Sequence, residues 1–303
     1  MAYSWGIDLG GTKIEGVVLD PSQPDKPLCR LRVPTEAEKG YGHILSQINR
    51  LCAAIRGETG LPLPAQIGMG TPGVLDPGTG KLKNSNTQCL NGQKLQVDLE
   101  AAQATRFVLA NDANCFALAE ATLGAGRGFP TVFGVILGTG VGGGIVVNGE
   151  VLAGRHGIAG EWGQLVLDPQ GPVSNYGTHG TVEAFISGPA LERFYAEKSG
   201  QRRGLKEIAE RASVGTDHDA VLTLERLTDR LAQALGIIVD VLDPHSIILG
   251  GGVGNIETLY TEEMREKITR AVFNPVFEAA ILKPQLGDSA GVFGAAMLVA
   301  NPE

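Results

Sequence analysis

Residues 6–20 read GIDLGGTKIEGVVLD: an apolar run, a glycine-rich turn and a second apolar run. How the chain leaves that turn decides the fold. A dinucleotide fingerprint or a P-loop needs a helix to begin at the last glycine, so that its first amides face a phosphate. After Gly10, Gly11, Thr12 and Lys13 the chain instead continues through Ile14, Gly16, Val17, Val18 and Leu19, which reads as a strand. The stretch is therefore a hairpin. Residues 134–149, GVILGTGVGGGIVVNG, repeat it in order, with Ile145, Val146 and Val147 where the first copy has Val17, Val18 and Leu19. One glycine-rich hairpin is ordinary, whereas two matching ones indicate a repeated unit.

A third glycine cluster stands in VDVLDPHSIILGGGVGN, residues 239–255, where Ile247–Leu249 reads as a buried strand running into Gly250, Gly251 and Gly252. Before it, Leu224, Leu227, Leu231, Leu235, Ile238 and Leu242 recur at the three-and-four spacing of one helix face. Further helices are predicted over 36–57, 113–124, 189–199 and 258–272, and their alternation with strands argues for an α/β protein with mixed sheets covered by helices. The glycine clusters share one physical use. Hairpins aimed at each other would point backbone N–H groups at a polyphosphate, and such nests hold an anion without a basic surface. The triple glycine would let a flat adenine ring approach the main chain, or it is simply a tight strand-to-helix turn.

At 303 residues the chain is long enough for two domains, and with 43% apolar and 19% charged residues it has an ordinary globular composition. Its net charge of −8, without a basic cluster, argues against nucleic acid or an anionic membrane as a partner. The start MAYSWGIDLG lacks the regions of a signal peptide, and no apolar run approaches the roughly 18 residues of a membrane span. A cytoplasmic location is expected. Cys29, Cys52, Cys89 and Cys115 are scattered without a C-x-x-C pair, so neither a disulfide framework nor a zinc knuckle is encoded.

Taken in order, GIDLGGTK, GMGTPGVLDPGTG, LANDANCFALAE, GVILGTGVGGGIVVNG, GIAGEWG, TVEAFISGP, LDPHSIILGGG and GDSAGVFGAA resemble the ROK family (repressor, open reading frame, kinase) over almost the whole chain. The resemblance implies the two-domain actin-like ATPase fold of sugar kinases, heat-shock protein 70 and actin, with duplicated phosphate hairpins and a cleft. It implies a discontinuous first domain of residues 1–113 with 289–303, and a second of 114–288. The C-terminal helix would return to the first domain, where Gly291, Gly294, Ala295 and Ala296 allow close packing. ROK repressors carry a helix-turn-helix ahead of the first phosphate strand; this chain reaches that strand by about residue 4, which favours a kinase over a regulator. A non-catalytic sugar sensor would lack the base, and the base is present.

That base is Asp112, in FVLANDANCFALAE. By itself the stretch suits a helix N-cap; by resemblance, Asp112 accepts the proton of a sugar hydroxyl that attacks the γ-phosphorus of ATP. The resemblance also implies that Asp8 lies near Mg2+, through water, and that Gly10, Gly11, Thr12, Gly138, Thr139 and Gly140 enclose the phosphates, with Gly251 and Gly252 beside the nucleoside. Lys13 either touches a phosphate or is solvated. Sugar contacts transfer to Asn86, Asn111, Asp112, Glu161, Gln164 and Glu183, with Gly73 bordering the pocket; without the resemblance, Glu161 reads as a loop residue and Glu183 as a first-turn helix carboxylate.

Many ROK kinases hold a structural zinc with one histidine and three cysteines. Here those positions carry Gln164, Ser174, Tyr176 and Thr181, hydroxyls and an amide that are poor zinc donors, so no structural zinc is expected. His179 alone cannot make a site. The loop must be fixed by hydrogen bonds and packing, through Tyr176 among others. The segment GKLKNSNTQCLNGQKLQVDL is similar to fructokinases and mannofructokinases of the family, with Cys89 in place of a tryptophan, so fructose or another plain hexose is the expected acceptor and an N-acetylhexosamine the alternative. Homodimers are common in the family.

Overall fold

Both glycine-rich stretches fold as antiparallel hairpins with three-residue turns. The computed structural model describes residues 3–300. Strand β1 (Ser4–Leu9) pairs with β2 (Lys13–Asp20) from Ser4 opposite Leu19 to Leu9 opposite Ile14, leaving Gly10–Thr12 as the turn. The chain continues through β3 (Gln23–Pro34), α1 (Tyr41–Thr59), β4 (Gln66–Thr71), β5 (Val74–Asp76), β6 (Lys81–Lys83), α2 (Leu95–Gln103), β7 (Arg106–Asn111) and α3 (Asp112–Thr122). The first sheet has the order β3-β2-β1-β4-β7, antiparallel across β3, β2 and β1 and parallel from β1 through β4 to β7.

The second hairpin joins β8 (Thr131–Leu137) to β9 (Val141–Val147) around Gly138–Gly140, where Gly138 N donates to Gly140 O at 2.9 Å. After β10 (Glu150–Val151) come α4 (Val182–Ile186), α5 (Gly188–Ser199), α6 (Leu205–Val214), α7 (His218–Leu242), β11 (Ser246–Gly250), α8 (Gly251–Gly254), α9 (Glu262–Ala271), β12 (Ala280–Leu282) and α10 (Ala290–Met297). This sheet runs β10-β9-β8-β11-β12, with β11 parallel to β8 and β12 parallel to β11. Position for position it repeats the first, so the duplication extends from the hairpins to whole sheets.

The chain divides into two compact units. Within the described residues the first comprises 3–128, 144–159 and 285–300, the second 129–143 and 160–284. In the first, Trp5, Ile7 and Leu9 of β1 share a buried core with Ile44, Ile48, Leu51 and Ile55, the four-three-four stripe of α1. α10 lies directly on this sheet. A Cβ at Gly68 would fall 1.7 Å from the Ala295 carbonyl oxygen, and one at Gly294 would fall 1.7 Å from that of Cys115. Helix α3 thus packs with α10, and the packing boundary falls beyond it rather than at residue 113. Two helices are shorter than their sequence spans. Gly40, at φ 89°, separates a 3-10 turn at Ala37–Lys39 from α1, and Thr261 caps α9 after a 3-10 turn at Glu257–Tyr260. Among the described residues no helix is long and apolar enough to cross a membrane.

Candidate active site

In the first unit the turn Gly10–Thr12 is held from β3. Thr35, fully buried, donates its hydroxyl to Gly10 O at 2.7 Å and its backbone N–H to Thr12 O at 3.0 Å. Asp8 stands on β1 just before the turn. Glycines flank its carboxylate: a Cβ at Gly70 would approach Oδ1 to 3.3 Å, and one at Gly291 would approach Oδ2 to 3.2 Å. Burial, then the nearby carboxylates of Asp112 and Glu15, push its pKa to about 6 against the opposing charge of Lys13.

Glu15 is fully enclosed. Burial works to raise its pKa, yet hydrogen bonds and charge from Arg30 and Arg32, the latter at 3.0 Å, hold it below the ordinary value. Lys13 lies 3.5 Å from the same carboxylate with 43% of its side chain exposed.

At the end of β7 the chain turns into α3, and the N-cap is Asn111 rather than Asp112. Asn111 Oδ1 accepts from Asn114 N at 2.8 Å, which leaves its amide nitrogen as a donor. Asp112 is the first helical residue; its Oδ1 accepts from Ala113 N at 2.8 Å. Asp112 is an exposed residue, while the protein around its carboxylate raises the pKa by desolvation, against the hydrogen bond from Ala113. Exposure decides whether a small molecule can reach it, and desolvation decides its proton affinity. Asn86 is likewise exposed, on a loop gathered by Asn91, which donates to Ser85 O and accepts from Ser85 N, both at 2.9 Å. Gly73, at φ 97°, packs its Cα against this loop: a Cβ there would meet Lys83 O at 2.6 Å.

In the second unit the turn Gly138–Gly140 is held by α4 and α5. Gly188 N donates to Gly138 O at 2.8 Å, and Glu183 Oε2 accepts from Val141 N at 3.0 Å. Gly138, Thr139 and Gly252 line one cavity of about 1330 Å³, with Leu205, Val221, Leu224, Val253 and Ile256 among its apolar walls. Such a volume exceeds the several hundred Å³ of an ordinary small-molecule pocket and accommodates a nucleoside with its phosphates. The glycine cluster divides its labour. Gly251, at φ 82°, is required by packing, since a Cβ would fall 2.2 Å from Leu137 O, whereas Gly252 faces open space at the cavity. Gly140 abuts Glu183 instead of lining the cavity.

Glu161 precedes a 3-10 turn at Trp162–Gln164, and its carbonyl accepts from Gln164 N at 3.3 Å. Trp162 anchors that turn, stacking edge-on against Phe133 and donating Nε1–H to Gly142 O at 2.9 Å. Tyr176 faces both Glu161 and Glu183; burial first, then their charges, raise its pKa. At 59% exposed it is nonetheless not a packing anchor, contrary to the expectation from sequence.

The anchors are instead two hydroxyls. Buried Ser174 accepts from Tyr176 N and Thr178 N, each at 3.2 Å, and fully buried Thr181 caps α4 through Ala184 N. The Ser174 and Thr181 oxygens are already committed to backbone amides, and the amide of Gln164 and the phenol of Tyr176 are poor zinc donors, so these four residues do not fit zinc. Among the described residues no group of three or more His, Cys, Asp or Glu side chains is placed to hold a metal ion.

Sequence reading missed Thr35 and Gly188, which brace the two turns. Gly188 stands in the TVEAFISGP motif without a role read for it, and Thr35 stands in no recognisable local pattern; only strand pairing, Lys13 opposite Pro34, brings Thr35 beside the first turn.

The sequence pattern of the ROK family matches residues 4–301. The N-acetyl-D-glucosamine kinase of Yersinia enterocolitica is 36% identical, over 97% of this chain and 98% of its own length. Among solved structures, the ROK hexokinase from Thermus thermophilus superposes with a TM-score of 0.85 at 32% identity, covering 98% of this chain and 97% of its own. A ROK family glucokinase from Streptomyces griseus, in complex with glucose and AMPPNP, gives 0.75 at 29% identity over 98% and 99%.

Proposed function

Because the chain belongs to the ROK family and has its actin-like ATPase fold, we propose that it is a sugar kinase that transfers the γ-phosphoryl group of ATP to the 6-hydroxyl of N-acetyl-D-glucosamine. The observation that carries the kinase reading is the cavity that brings Gly138 and Thr139 of the repeated hairpin together with Gly252 of the triple-glycine turn. Peptide N–H groups at such a turn bind phosphate oxygens, and the apolar walls suit a base. The acceptor is assigned to N-acetylglucosamine in place of fructose because relatives matched over nearly their whole length, from Yersinia and Aliivibrio, are named for that activity. The fructose reading rested on the single loop at 84–93, in which Cys89 already departs from the fructokinase pattern.

In this mechanism Asp112 accepts the proton of the 6-hydroxyl as that oxygen attacks the γ-phosphorus and the bond to the β–γ bridging oxygen breaks, releasing ADP. Its raised pKa brings it nearer to neutrality, where a general base is most effective. Asn111, with its oxygen used as a cap, offers its amide N–H to a sugar hydroxyl. Asn86, Glu161, Gln164 and Glu183 complete the sugar contacts, and Glu183 couples them to the phosphate turn through Val141 N. Asp8, crowded by Asp112 and Glu15 and raised to about 6, fits a neighbour that supplies positive charge. Magnesium held there through water would compensate charge on the phosphates.

A coupled ADP-release assay over N-acetylglucosamine, N-acetylmannosamine, glucose, mannose and fructose tests the assignment. N-acetylglucosamine is expected to lead in kcat/KM by ~100-fold, about 2.7 kcal/mol of discrimination. A lead for fructose reverses the acceptor, and ADP release from none of the five removes the kinase reading. Asp112→Asn should lower kcat by about 10³-fold or more with sugar affinity largely kept.

A further inference from the structure

The loop between Leu165 and Thr181 feeds α4, and α4 carries Glu183. Its ends are tied by backbone bonds, Leu167 N to Gly180 O at 2.8 Å and Val182 N to Leu165 O at 2.9 Å. Beneath it lies a stack of rings and guanidinium groups. Arg230 sits 4.4 Å from the ring centre of Phe185 on α4. Arg226, one turn earlier on α7, sits 4.8 Å from Phe185 and 4.4 Å from Phe194 on α5. The loop backbone rests on the same ring, since a Cβ at Gly171 would come within 2.5 Å of Phe185 Cζ.

Asp168 closes the arrangement. Its Oδ2 is 3.7 Å from Arg230, its Oδ1 accepts from Gln170 N at 3.0 Å, and its carbonyl accepts from Gly171 N at 2.8 Å. That carbonyl lies so close to Gly180 that a Cβ there would fall 1.5 Å away. Two cations on one helix face repel each other. Burial, followed by the charge of Arg230, accordingly lowers the proton affinity of Arg226, and the π faces of Phe185 and Phe194 offset that cost.

We propose that Asp168, Arg230, Phe185 and Arg226 form a metal-independent clamp that fixes residues 168–180 and, through α4, positions Glu183 for the sugar. The sugar role of Glu183 rests on the function proposed above; the clamp itself does not. Of the residues that occupy the zinc positions of other ROK kinases, Ser174 and Thr181 are engaged in hydrogen bonding and capping, and the rigidity a metal would give comes from ring stacking and one ion pair.

Amide exchange by mass spectrometry and steady-state kinetics on Arg230→Met, Asp168→Asn and Arg230→Lys test the clamp. The first two variants should speed exchange in 168–180 roughly tenfold while β8 and β11 stay protected. They should also raise KM for the sugar about fivefold with kcat within about twofold, the signature of lost positioning. Arg230→Lys keeps a cation over Phe185 and within reach of Asp168, and should return KM to within about twofold. Dialysis against a chelator, with magnesium restored afterwards, should change neither readout. Unaltered exchange in both Arg230→Met and Asp168→Asn, or a zinc bound one per chain whose removal speeds exchange, overturns the clamp. Faster exchange with unaltered KM overturns its link to Glu183. A parent protein inactive on every sugar refutes the proposed function and leaves the exchange comparison decisive for the clamp.

Discussion

Asp8, proposed to lie near magnesium, shows how a buried carboxylate weakens the fold that holds it. Its carboxyl titrates at about 6 in the folded chain against 3.8 in an unfolded one. A raised carboxylate pKa means that the folded state holds the proton more tightly. The associated stability is therefore present below pH 3.8 and is lost as pH rises through about 6. In magnesium-free buffer at pH 8, Asp8→Asn should thus raise stability by roughly 1–2 kcal/mol, less than two pKa units allow because the amide is also desolvated, and should do so while lowering activity. The gain should vanish near pH 4, and thermal unfolding across this range checks both ends. A variant no more stable than the parent at pH 8 would mean that Asp8 is well solvated. The sequence marks Asp8 as a strand residue beside a glycine turn. It does not carry the crowding, because Asp112 and Glu15 reach Asp8 only through the pairing of β1 with β2 and the packing of α3.

Among elements, the two hairpins share a pattern but differ in support. The first turn is fastened by one side chain, Thr35, and the second by Gly188 and Glu183. Thr35→Val keeps the shape of the buried residue and removes the hydroxyl. It should cost about 1 kcal/mol of stability and raise KM for ATP several-fold, leaving KM for the sugar near the parent value. Equal effects on both substrates would place Thr35 in the general core instead. Helix α3 is secured at both ends. Asn111 caps its start, and near its end Glu120, fully buried, accepts backbone N–H groups from Ala125, Gln285 and Leu286. The hairpins and α7 were legible because they depend on local periodicity and on turn glycines, whereas the return of α10 to the first unit was implied by the family resemblance. The starts of α1 and α9 were less legible, since 3-10 turns next to them share the helical spacing and differ only at Gly40 and Thr261.

For the whole molecule, segments proposed to bind the nucleotide and segments proposed to bind the sugar can be followed separately. A non-hydrolysable ATP analogue should slow amide exchange at 138–140 and 250–256 even without sugar, while sugar alone should slow it at 84–86 and 111–114. Protection of all four segments by either ligand alone would show that the two responses are not separable. The amino-acid order alone determined the repeated strand–turn–strand, the α/β class, the resemblance to the family and the hydroxyls and amide at its zinc-ligand positions, because these are written in periodicity, motif order or donor chemistry along the chain. Tertiary structure decided the surroundings of the residues in those motifs. It gave the N-cap to Asn111 and left Asp112 open, split Gly251 from Gly252, removed Tyr176 as an anchor, and assembled Asp168, Phe185, Arg226 and Arg230 under one loop. The physical reason is that burial, pKa and stacking depend on which distant segments share a space, and no local pattern encodes that.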